Sequence, residues 1–437
     1  MNLFIFIFLA LVIYKVLTTH VSSITFLFSI LTLMLFLIPY FTLWSTFIKM
    51  GFIAEKYEFI FFLFIFLCYA GFIIGDWLSV MNKKKDIVEQ PSVFKTIDIK
   101  KFETYSIIVG IIGLLGYGFF IYKSGPLYFI GHGSGDISVG GYVYELRYFI
   151  FSAVLLLFNA FLVKRLSLKG KLFLIFFVVF LCFDAYVQQQ RGSWIRFGVI
   201  LIISYLFTQK SQDKLRITLL FSKYKTIFLS GIFFAFLLTF TVHIRKFYSP
   251  NTSLAQQVGL TIDHISQHPD LLFGGSAVDE GNEFVTAYNA FHANEIAGTS
   301  DLGLKWLYPF LNFIPRTLWA DKPTWIKFST NIFTMMLRYS NIKPAPGSAE
   351  TGFIDAFYRF LWLSPLFFVA FGYYTRKLHT QAIQVLNKRM FYICLYVGCF
   401  YFITQNMMPM IIFTFYMYIP IWYVNRNCMK RIYKNHE

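Results

Sequence analysis

Acidic side chains are scarce in this chain. Its 437 residues carry 22 Asp and Glu against 39 Lys and Arg, and charged residues make up only 14%, well below the roughly 25% of an ordinary soluble domain. With 57% of the residues hydrophobic and 21% aromatic, a soluble fold is excluded. Cysteine is rare as well: Cys68, Cys182, Cys394, Cys399 and Cys428 fall in apolar stretches or near the C-terminus, which leaves no disulfide framework and no Cys-based metal site. The sequence has no Gly-x-Ser-x-Gly nucleophile elbow. It has no His-Glu-x-x-His pattern, and His264 and His268, four apart, have no third ligand, so they read as surface histidines and no metal is expected. The glycine-rich stretch Gly131-His132-Gly133-Ser134-Gly135 is followed by no Lys-Ser/Thr, which excludes a phosphate-binding P-loop and leaves a turn. No repeat of solenoid period is visible.

What the chain has instead is apolar runs of span length. A membrane helix takes about 20 mostly apolar residues, and such runs recur, Tyr57 to Val80 and Leu172 to Val187 among them. The first, Met1 to Leu17, lacks a basic leading region and a small-residue cleavage site and reads as a retained helix. Spans are predicted at roughly 2–18, 21–44, 57–80, 104–122, 143–163, 172–189, 194–208, 226–242, 353–374, 390–404 and 408–424, about eleven in all. The expected fold is all-α and polytopic.

Alternate loops differ sharply in charge. Lys83 to Lys101, Lys164 to Lys171, Lys210 to Lys225, Arg376 to Arg389 and the tail from Arg426 are rich in Lys and Arg, while the opposite set is nearly bare. Basic loops stay on the cytoplasmic side, so the C-terminus is expected inside and the N-terminus outside. The formal net charge of +17 is absorbed by this topology and gives no reason to expect nucleic acid.

This parity leaves one long outward segment, residues 243–352, between helices 1–8 (1–242) and helices 9–11 with a cytoplasmic tail (353–437). Residues 302–319 are apolar and aromatic, broken by Pro309 and Pro315, so the segment is expected to pack on the membrane surface. Its start, 251–268, reads as an amphipathic helix capped by Asn251 or Ser253, with Leu254, Val258, Ile262 and Ile265 on one face. The run Asp279-Glu280-Gly281-Asn282-Glu283 reads as the start of another helix, with Asp279 as its cap.

Arginines beside apolar sequence are expensive and normally have a task. Arg191 begins the turn Arg191-Gly192-Ser193-Trp194, with Ser193 as a cap; Arg245 leaves the eighth span; Arg316 stands between two prolines; Arg147 lies near the outer end of the fifth span, beside Glu145. The plain alternative is interfacial snorkelling for Arg191 and Arg245, a surface arginine in an irregular loop for Arg316, and pairing with Glu145 or another intramembrane partner for Arg147. Several cations on one face without a carboxylate for each suit an anion, and Arg matches phosphate bidentately. Among the carboxylates of the long segment, which include Asp263, Asp279, Glu283, Asp301 and Glu350 with Asp355 at its border, Glu350 is the most pointed, in a Gly-bounded turn just before a span.

At these residues the chain resembles the bacterial O-antigen polymerases (Wzy) and related oligosaccharide repeat-unit polymerases. The resemblance rests on Arg191-Gly192-Ser193-Trp194 after a mid-chain helix, on the Ile-Pro-Arg-x-x-Trp-x-x-Lys-Pro stretch Ile314 to Pro323, and on the Gly-x-x-Glu turn Gly347 to Glu350. It covers roughly residues 185–375 and the overall layout. After the glutamate the family tends to a tyrosine and an Asn-x-Gly-like continuation, whereas this chain has Phe353-Ile354-Asp355-Ala356.

The resemblance implies a GT-C-like architecture in the bacterial inner membrane and an active site on its periplasmic face. It also implies glycosyl transfer with undecaprenyl diphosphate as the leaving group and a sugar hydroxyl on another lipid-linked repeat unit as nucleophile. Arg191, Arg245, Arg316, Lys322 and Arg147 would then hold the diphosphate without a metal or other cofactor. Glu350 would be the base, with Glu283 and Asp279 behind it. Trp306, Tyr308, Trp319 and Trp325 would stack on sugars, unless they form an interfacial belt. The implied partners are undecaprenyl-diphosphate-linked glycans, membrane lipids, and a chain-length regulator and flippase of the same pathway. An O-antigen ligase is the nearest rival. A lipid-linked oligosaccharide flippase is the rival of another class, and it would show two pseudo-repeated halves and short loops.

Overall fold

The computed structural model describes residues 2–82, 98–125, 145–187, 191–208, 254–267, 283–307, 319, 336–339 and 349–428. Among the described residues there is helix and no strand. Helix α1 is Asn2–Thr18; α2, Ile24–Thr32, runs through a π turn at Leu33–Leu37 into α3, Ile38–Lys49. Then come α4 (Glu58–Met81), α5 (Ile99–Ser124), a 3-10 turn at Leu146–Tyr148 leading into α6 (Phe149–Leu162), α7 (Leu168–Val187) and α8 (Arg191–Thr208). The long segment contributes α9 (Leu254–Gln267) and α10 (Glu283–Ala297). The chain continues as α11 (Gly352–Phe360), α12 (Ser364–Gln384), α13 (Leu386–Thr404) and α14 (Met407–Cys428).

Among the described residues, six stretches are long and apolar enough to cross a membrane: Ile24–Lys49, Glu58–Met81, Ile99–Ser124, Leu168–Val187, Gly352–Gln384 and Met407–Cys428. Three shorter helices, α1, α6 with its leading turn, and α8, are apolar too. This is the make-up of a membrane-embedded bundle. Helix α7 shows why it suits lipid: Leu168, Leu172, Ile175, Phe176, Val179 and Phe183 form an exposed stripe at helical spacing, while Leu174, Phe177, Leu181 and Asp184 face inward.

Close packing inside the bundle depends on small residues. Helices α4 and α12 share the most extensive interface. A Cβ at Gly75 would come within 2.0 Å of the Val369 carbonyl oxygen, and one at Gly372 within 2.1 Å of that of Phe72, so backbone meets backbone there.

Antiparallel neighbours define two ends. At the Cys428 end, the Asp98 N–H donates to the Cys428 carbonyl at 3.0 Å. Ser22 meets His379 at this end as well. At the Met407 end, the Met407 N–H reaches Asp355, and Tyr401 donates to the Gly192 carbonyl.

Four expectations change. The predicted span 353–374 is two helices: Leu361 has φ 50°, a 3-10 turn follows, and Pro365 opens α12, which runs ten residues past the predicted end. The predicted turn at Arg191-Gly192-Ser193-Trp194 is already the first turn of α8, so Ser193 is helical and accepts from Arg196 in place of capping. Helix α9 turns Gln257, Thr261 and Ile265 inward and leaves Ile262 54% exposed. Ile262 thus stands apart from the inward face, unlike the single aliphatic face expected. The second span kinks through a π turn, since Pro39 has no N–H to continue the α ladder. The predicted span 226–242 lies outside the described residues.

Helix α10 comes from the long segment yet is buried on nearly every side. Phe284 packs on Trp44, Phe47, Phe61 and Phe62, and Phe291 on Phe64 and Phe357, which wedges α10 between the ends of α3, α4 and α11. The segment beyond it, from Gly298, is thereby delivered to α11.

Candidate functional site

The first cluster at the Met407 end is built on α11. Gly352 lies so tightly on α13 that a Cβ would sit 2.2 Å from the Phe402 carbonyl oxygen. Just before it, Thr351 has φ 61° and ψ 151°, a region β-branched residues avoid. This cramped entry turns Glu350 inward, where it is 6% exposed.

One turn into α11, Asp355 is saturated. Its Oδ1 accepts from Arg359 Nε at 3.1 Å and Nη2 at 2.8 Å, and its Oδ2 from Trp306 Nε1 at 2.8 Å and the Met407 N–H at 3.0 Å. Arg359 pairs also with Asp301, and its carbonyl accepts from Ser300. These contacts bind the long segment, α11 and the start of α14 around Glu350. Burial first, then the Asp355 charge, push the Glu350 carboxyl up to about 7, against the pull of Lys305, Arg359 and a hydrogen bond from Asn406. A carboxyl poised there exchanges its proton near neutral pH, which suits a general base or acid. Asp355, with four donors already bound, does not.

The second cluster centres on Arg196 in α8, 5% exposed. Its Nε donates to the Gly192 carbonyl at 3.2 Å and Nη2 to Ser193 Oγ at 3.2 Å. Its guanidinium carbon lies 4.6 Å from the ring centre of Phe413, 5.2 Å from Tyr148, 5.2 Å from Phe151 and 5.7 Å from Tyr401. Buried Nη1 makes no hydrogen bond among the described residues. The guanidinium carbon of Arg147 lies 5.0 Å from the Tyr148 ring centre, and Nη2 donates to the Tyr148 hydroxyl at 3.0 Å. Burial raises the neighbouring Glu145 carboxyl against the charges of both arginines, and buried Asp184 shares Tyr117 with them. Between Met407, at the first cluster, and Phe413, at the second, α14 advances roughly 9 Å.

Of the predicted residues, Glu350 stands in the first cluster and Arg147 in the second. Glu283 opens α10, whereas Asp301, the partner of Arg359, follows its other end. Trp306, a sugar-stacking candidate, is instead buried against Phe360 and Phe367 and holds Asp355. Trp319 is 38% exposed. Arg191 opens α8, with its side chain outside what is described; Arg245, Arg316, Lys322, Asp279, Tyr308 and Trp325 lie outside the described residues too.

Sequence reasoning missed Arg196 and Arg359, which it took into predicted spans 194–208 and 353–374. An ionisable side chain within an apolar span was the available signal. Among the described residues, no three His, Cys, Asp or Glu side chains gather as metal ligands would. Comparison of the chain with protein-family models, with curated proteins and with solved structures finds no match.

Proposed function

We propose that this chain is a membrane glycosyltransferase that polymerises lipid-linked oligosaccharide repeat units. In this reading about eleven helices cross a bacterial inner membrane in a GT-C-like arrangement. The Met407 end faces outward, because the Lys- and Arg-rich loops fall at the other end. One observation carries the reading most: a buried carboxyl with proton affinity near neutrality, Glu350, shares an end of the bundle with the buried guanidinium of Arg196 and the half-buried Arg147.

The chemistry follows from that pairing. The hydroxyl oxygen of one lipid-linked repeat unit attacks the anomeric carbon of a glycan carried on undecaprenyl diphosphate. The new C–O bond forms as the bond to the diphosphate oxygen breaks, and the hydroxyl proton passes to Glu350. Negative charge grows on the departing diphosphate, where Arg147 and Arg196, with Arg191 on the same helix, stabilise it. Arg245, Arg316 and Lys322 join them in this proposal on the strength of the sequence resemblance.

A deletion strain scored for its surface glycan tests the reading. Loss of a polymerase leaves single repeat units on the lipid carrier's final acceptor in place of a ladder. Loss of a ligase leaves the ladder on the carrier, and loss of a flippase leaves no surface glycan. Either of the latter patterns overturns the proposal.

A further inference from the structure

At the Cys428 end, opposite the candidate site, three side chains form a hydrogen-bonded chain the proposed chemistry does not use. The Ser22 backbone N–H lies 3.2 Å from Nδ1 of His20. An N–H can only donate, so that nitrogen carries no proton. Ser22 Oγ lies 2.7 Å from the same Nδ1 and donates to it, which leaves its lone pairs for Nε2–H of His379 at 3.1 Å. With the Nδ1 lone pair of His20 shared by the Ser22 N–H and hydroxyl, the donors run one way through the chain and His20 is neutral.

This chain sits on the short turn between α1 and α2 and is flanked by tyrosines of α13. Tyr392 accepts from the Ile24 N–H at 2.8 Å and donates to the Ser22 carbonyl at 3.1 Å; Tyr396 donates to the Val21 carbonyl at 3.2 Å. The imidazoles of His20 and His379 are 5.8 Å apart, centre to centre. Other charges near them are mostly positive. Arg389 lies over Phe207, whose ring faces His379, and Arg376 acts on Tyr392. Lys15 is on the last turn of α1, and Asp76 of α4 is held by Thr25 Oγ1 at 2.6 Å.

We infer that His20, Ser22 and His379 form an acid-released latch that ties the α1–α2 turn to α12 and α13. A proton on Nδ1 of His20 sets one N–H against the Ser22 N–H, turns the Ser22 hydroxyl round, and adds positive charge beside His379 and the two arginines. An unperturbed imidazole takes up such a proton at about pH 6.5; the turn is held while His20 is neutral and released when it is protonated.

Hydrogen exchange of the full-length protein in lipid nanodiscs reads this locally. After correction for the intrinsic pH dependence, protection of the Ser22 and Ile24 amides falls at least tenfold between pH 8 and pH 5.5. In His20→Asn, whose amide oxygen accepts as Nδ1 does and does not titrate, it stays level. Equal protection at both pH values in the wild type overturns the latch, as does an equal fall in His20→Asn. Nitrogen-15 NMR of the histidines needs no variant: the latch requires an unprotonated Nδ1 on His20 at pH 8, and a proton found there overturns it.

Discussion

Two buried arginines at the same end of this bundle are kept in opposite ways. Arg359 is surrounded by carboxylate: Asp355 takes two of its nitrogens and Asp301 a third, and Asp355 is further capped by Trp306 and Met407. Arg196 is surrounded by aromatic faces; among the described residues its hydrogen bonds go to a carbonyl and a hydroxyl, and Nη1 makes none. The first arrangement neutralises a cation and uses it to bind segments together. The second holds a cation in place without neutralising it, which is what a site for an arriving anion needs.

Substitutions break that comparison in graded steps. The largest effect falls on the neutralised arginine. Arg359→Ala strands two acids, one of them deeply buried, and is expected to cost about 3–5 kcal/mol, enough to lose most folded protein; thermal unfolding in detergent and membrane yield measure it. Next comes Glu350→Gln, which keeps shape and hydrogen-bonding capacity but cannot take a proton. Transfer should fall by about 10²–10⁴-fold with folded protein retained, read in membranes supplied with lipid-linked repeat units. Arg196→Ala should reduce transfer by about 10²–10³-fold, with Arg196→Lys between it and wild type, and both should unfold closer to wild type than Arg359→Ala does.

The smallest effect is on pH dependence. The Glu350 carboxyl is raised from 4.5 to about 7 by burial and by Asp355. The unfolded chain therefore releases this proton at lower pH than the folded one. Its contribution to stability is present at low pH and is lost as pH rises through that window. The wild type should lose stability relative to Glu350→Gln between pH 4.5 and pH 7, and parallel curves for the two proteins would contradict the assignment.

Much of this architecture is legible in the sequence because lipid demands long apolar runs and internally bonded backbone. The starts and ends of α4, α5 and α14 follow from hydropathy within a few residues. Where hydropathy fails, a backbone detail intervenes: Pro365 and the left-handed Leu361 split one predicted span, and Pro39 puts a π turn into another. The candidate site is only half legible. Glu350 stands out from its Gly-bounded turn, but its environment comes from Asp355 on α11 together with Lys305 and Asn406, brought from distant stretches by α10 and by the α13–α14 turn. Arg196 and Arg359 are hidden inside apolar runs, where hydropathy averages them away. Trp306 reads as a sugar-stacking or interfacial aromatic and is a buried donor to Asp355, a role set by a tertiary contact that no local pattern records.

The most direct test of the central claim uses a deletion strain complemented with either Glu350→Gln or Arg196→Ala, each checked for wild-type amounts of protein in the membrane. If these two side chains serve one transfer site, both strains show single repeat units and no ladder. A full-length ladder from either one contradicts the account.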